Sequence, residues 1–101
     1  MTNTTDIIIN KTESSFIVKC KDSNFAKELS RKIYSHWDKA MENCKEPGTY
    51  AHDLIYSGDL LTCVPCNENL LLWFDIRWGE GYEQKFNLIH EFIKTCISEL
   101  D

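Results

Sequence analysis

The sequence predicts an α+β fold in ββα-ββα order: a four-stranded antiparallel sheet with two helices on one face. Three observations carry that expectation. Two stretches alternate with period two, each next to a second strand-like run; an amphipathic helical stretch follows each pair; and an irregular segment separates the halves. The chain has 101 residues, of which 43% are hydrophobic, enough for a single domain spanning 1–101 with its own core.

Asp6 to Asn10 holds Ile7-Ile8-Ile9, a β-branched run that favours a strand. Asn10-Lys11-Thr12-Glu13-Ser14 is turn-like, and Ser15 to Lys21 then alternates, with Phe16, Val18 and Cys20 on one side. The two runs form a hairpin. Asp22, Ser23 and Asn24 offer capping side chains for a helix whose stripe is Phe25, Leu29, Ile33, Trp37, Ala40, Met41 and Cys44. Glu46-Pro47-Gly48 stops it, because the residue before a proline disfavours the α region.

Residues 46–58 read as a long loop with at most one helical turn, near Ala51 to Ile55. Asp59 to Cys66 and Leu70 to Trp78 form the second strand pair across Asn67-Glu68-Asn69. In the last strand Leu70, Leu72, Phe74, Ile76 and Trp78 share the core face, while Leu71, Trp73, Asp75 and Arg77 share the other. After Gly79-Glu80-Gly81 a second helix buries Tyr82, Phe86, Ile89, Ile93, Cys96, Ile97 and Leu100.

Charge divides unevenly along the chain. Residues 1–45 carry a net charge of +2 and residues 46–101 a net of −7, for a total of −5. Between Glu46 and Glu83 the single base is Arg77. Such a surface repels nucleic acid and steers a basic protein toward itself. No run approaches the ~20 apolar residues of a membrane helix, and the start of the chain lacks the basic region of a signal peptide. Five scattered cysteines suit a reducing compartment better than a disulfide framework, so the expectation is a cytoplasmic protein, monomeric or homodimeric, without membrane or cofactor.

Cys63-Val64-Pro65-Cys66 is the motif with the most chemical promise. Zinc would need a second ligand pair, which the sequence lacks; a redox dithiol would need a helix N-terminus, and this pair lies on a strand that Pro65 ends before Cys66 enters the turn. His52-Asp53 is the histidine pair to watch for nucleophilic catalysis, but no local signature supports a triad. The glutamate in Gly79-Glu80-Gly81 opposes an anion, so a strand-to-helix turn is the better reading. No catalytic or metal-binding set emerges.

Trp73 is different, because packing does not account for it. Its face would also carry Leu71, Ile8, Ile17 and Leu61 or Cys63. Either that face is an interface, or the 46–58 segment covers it with Tyr50 and Tyr56. The leading expectation is a small acidic, non-enzymatic protein-binding module, an inhibitor of the toxin-immunity, antitoxin or phage-inhibitor type that neutralises a basic partner such as a nuclease. Asp53, Asp59, Glu68, Asp75 and Glu80 would steer, while Trp73, Leu71, Arg77, Tyr50 and Tyr56 make contact. The alternative is a thiol, redox or zinc-binding protein built on Cys63 and Cys66.

Overall fold

A computed structural model describes residues 6–77 and 79–100. The chain runs β1 (Asp6–Asn10), β2 (Ser15–Lys19), α1 (Ser23–Glu42), α2 (Tyr50–Ser57), β3 (Gly58–Cys66), β4 (Asn69–Ile76) and α3 (Tyr82–Leu100). The strands form one antiparallel sheet in the order β1-β2-β4-β3. Because β4 lies between β2 and β3, the α1–α2 connection crosses over it to the far edge.

The turns follow from local chemistry. Asn10 closes the first hairpin by accepting from the Glu13 N–H through its side chain, and Ser14 takes a positive φ. Asn67 takes the positive φ of the second, a conformation asparagine tolerates better than most residues. The Cys20 N–H then donates to the Glu68 carbonyl at 2.8 Å and ties that turn to the end of β2.

Alternation puts Phe16, Val18, Leu70, Leu72, Phe74 and Ile76 on one sheet face, all buried, and the helices pack there. Asp22 caps α1 by accepting from the Phe25 N–H at 2.8 Å. Phe74 meets Phe16 edge-on, with centroids 5.5 Å apart, and Trp37 of α1 at 5.6 Å; Trp37 in turn meets Phe92 of α3 at 5.5 Å. That aromatic chain joins the sheet to both long helices.

Two differences from the sequence-based expectation have physical causes. There are three helices, not two, because residues 50–57 of the expected loop form α2. The Thr49 side chain caps α2 by accepting from the His52 N–H, and Leu54 is fully buried in the common core. Pro65 does not end the pairing: β3 is an edge strand and Pro65 stays in register with Leu70. Its missing N–H lies on the side away from β4, where no ladder bond is lost. Met41, expected on the buried stripe of α1, is exposed. Trp78, expected on the core face, lies outside the described residues.

Candidate functional site

The sheet face opposite the helices carries an apolar row that crosses every strand. Ile8 stands opposite Ile17, Ile17 opposite Leu71, and Leu71 opposite Val64. Trp73 is two residues along β4, facing Ser15 on one side and Thr62 on the other. A bulge between Leu60 and Thr62 inserts Leu61, so that Leu61 and Thr62 together oppose Trp73. Ile8 is 45% exposed, Leu61 62%, Val64 46% and Trp73 37%, while Ile17 and Leu71 are half-buried between them. Among the described residues no helix or loop covers this face. Contiguous apolar surface centred on a tryptophan has the anatomy of a protein interface.

Charges flank the row at both ends: Asp6 opposes Lys19 at one, and a pair of carboxylates stands at the other. Asp75 stands directly opposite Asp59, an arrangement that is unfavourable for two carboxylates within one sheet. Arg77 relieves half of it: its Nη2 lies 3.6 Å from Asp59 Oδ1, while its Nη1 donates to the Ile55 carbonyl at 3.2 Å. The Asp75 side chain has no ionic or hydrogen-bonding partner among the described residues. It is an exposed acid beside an exposed tryptophan.

The sequence-predicted residues do not form one site. Leu71, Trp73, Asp75 and Asp59 share the open face, with Arg77 at its end. Tyr50, Asp53 and Tyr56 sit in the helical layer on α2. Tyr50 lines a cleft of about 220 Å³ with His36, Ala40, Phe92 and Cys96. Tyr56 stacks on His52 at 4.3 Å, next to Gln84, Lys85 and Leu88 of α3. The alternative in which Tyr50 and Tyr56 cover Trp73 is therefore not met, because both lie on the opposite side of the sheet. Glu68 lies in the β3–β4 turn and Glu80 in the loop before α3. Val64 is the residue that sequence reasoning missed. The bulge shifts the parity of β3, placing Val64 on the open face and Cys63 in the core, and alternation alone carries no sign of it.

The cysteine pair is separated by the same geometry. Three positions along a strand put two side chains on opposite faces; Cys63 is buried and Cys66 exposed. Burial pushes the Cys63 thiol up to about 11, against a smaller lowering by its hydrogen bond with Ser30. Cys20 is raised to about 11 by burial and then by Asp22, and Cys96 to about 12 by burial and then by Glu99. These are the opposite of activated thiols. His52 Nδ1 is buried without a hydrogen bond, 3.6 Å from Asp53 Oδ1, and the nearby Ser57 hydroxyl donates to the Asp53 carbonyl at 2.7 Å. No nucleophile–base hydrogen bond forms there. Among the described residues no group of three or more His, Cys, Asp or Glu side chains could hold a metal ion, and no helix is long and apolar enough to cross a membrane.

No family model matches this chain, and no curated protein or solved structure matches it at a significant level.

Proposed function

We propose that this chain is a non-enzymatic protein-binding module whose open sheet face holds a basic protein partner, in the manner of a small acidic inhibitor. The observation that carries the reading is the row Ile8–Ile17–Leu71–Val64 with Trp73 and the exposed Asp75 beside it. Apolar area and a rigid indole supply the desolvated centre of a contact. Asp59 and Asp75, on a chain of net charge −5, favour a cationic rim on the partner. The rigid strands that present these residues need little ordering on binding, which limits the entropic cost. Asp53, Glu68 and Glu80 act through the long-range field, and Tyr50 and Tyr56, in the helical layer, take no part in the contact.

The test is capture from native lysate with the wild-type chain, Trp73→Ala and Tyr50→Ala in parallel, followed by kinetics on the isolated partner. The expected result is a basic protein held by wild type and by Tyr50→Ala, with affinity lowered at least ~30-fold by Trp73→Ala and an on-rate that falls with added salt. A partner held equally by Trp73→Ala would overturn the proposed face.

A further inference from the structure

The two edges of the sheet are built differently. On β3 the bulge at Leu61 interrupts the ladder, Pro65 has no N–H to offer, and the Cys63 N–H and C=O that point outward are taken by Tyr34 and Ser30 of α1. That edge is closed to a further strand. β1 has no bulge, no proline and no covering side chain among the described residues.

The backbone parity of β1 follows from its neighbours. Phe74 N–H donates to the Ser14 carbonyl, so alternate residues of β2 (Phe16 and Val18) turn their polar groups toward β4, and Ser15, Ile17 and Lys19 turn theirs toward β1. Those three pair with Asn10, Ile8 and Asp6. The N–H and C=O groups of Ile7 and Ile9 therefore point away from the sheet.

We infer that β1 is a self-pairing edge: a second copy of this chain docks antiparallel on it about a two-fold axis at Ile8. The strand is its own complement in that register. Ile7 of one copy meets Ile9 of the other, the pair whose outward N–H and C=O groups can bond each other and leave none over. Both are half-buried at the margin of the core, and the pairing completes their burial. On the open face Ile8 meets Ile8, and the Ile8–Ile17–Leu71–Val64 row runs without a break into its copy. Asp6 meets Asn10, a carboxylate against an amide, so no like charges face each other. A foreign strand would use the same backbone groups but has no need of this internal symmetry.

Two five-residue strands make a small interface, so the dimer forms weakly and with concentration. Sedimentation equilibrium of the full chain, from about 5 µM to about 500 µM, is expected to show monomer passing into dimer. Asn10→Asp keeps the acceptor for the Glu13 N–H but sets Asp against Asp twice per dimer, and should weaken association about two- to thirtyfold. Ile9→Pro removes an outward N–H and should abolish association, with circular dichroism confirming the fold. Val64→Lys, far from the edge, should leave it unchanged. Monomer at every concentration overturns the inference. So does a dimer indifferent to Asn10→Asp and Ile9→Pro, and one lost on Val64→Lys would be face-to-face packing instead.

Discussion

The Tyr34 hydroxyl accepts from the Cys63 N–H at 3.2 Å and lies 3.4 Å from the carbonyl oxygen of the same residue, so one side chain of α1 occupies both outward backbone groups at that point of β3. Ser30 donates to the same carbonyl at 3.3 Å. Tyr34→Phe keeps the ring and strands the N–H. The expected cost is about 1 kcal/mol, read as a lower urea midpoint with unchanged slope, together with faster aggregation on partial denaturation as the β3 edge opens.

Trp73 and Phe74 are neighbours in sequence with opposite consequences. Phe74 is buried between Phe16 and Trp37, and Phe74→Ala should cost about 3–5 kcal/mol because the aromatic chain from sheet to helices is cut. Trp73 faces outward, and Trp73→Ala should retain a cooperative thermal transition close to that of wild type. Equal destabilisation by both would mean that Trp73 serves the core.

Gly58 is required by closeness, not by dihedral freedom. Its backbone is extended, yet an added Cβ would lie 2.8 Å from the Asp75 carbonyl oxygen and 3.0 Å from the Ile76 Cα. Gly58→Ala should cost about 1–3 kcal/mol by forcing β3 and β4 apart, visible as a lower Tm. Gly48→Ala has open space around its Cβ and meets only the strain of a positive φ.

The buried thiols set a pH dependence. Cys20, Cys63 and Cys96 are held above their ordinary value of 9.0, at about 11, 11 and 12. Below pH 9 they are protonated in both folded and unfolded chains, and their contribution to stability is fully present. Above it the unfolded chain ionises first, so stability is lost as pH rises through the folded values. Denaturant titrations between pH 8 and 11 should show this fall, reduced in Cys63→Ala. At neutral pH, alkylation followed by mass spectrometry should mark Cys66 well before Cys63.

The sheet was legible where burial is one-sided. Leu70, Leu72, Phe74 and Ile76 alternate with exposed or half-buried partners, and every one is buried. The stripes of α1 and α3 were legible for the same reason: a helix half in water must repeat its apolar residues each turn. α2 was not, because eight residues with Leu54 and Ser57 as their buried positions carry too little periodicity, and their helix rests on tertiary packing and the Thr49 cap. The candidate site was half legible. Alternation along β4 sends Trp73, Leu71 and Asp75 outward without reference to anything else, whereas the company they keep depends on strand order and on a bulge.

By itself the sequence determined the strands, the two long helices and the core face of β4, and with it the side of the sheet on which Trp73 stands, since each follows from a local period and the cost of exposing apolar or burying polar groups. Only the tertiary structure decided that β2 pairs with β4, which aligns Ile8, Ile17, Leu71 and Val64 in one row. It also decided that α2 lies among the helices and leaves that row open, and that Cys63 is the buried member of the cysteine pair. Pairing between strands far apart in the chain is settled by how well whole faces bury one another, a property that no single segment carries.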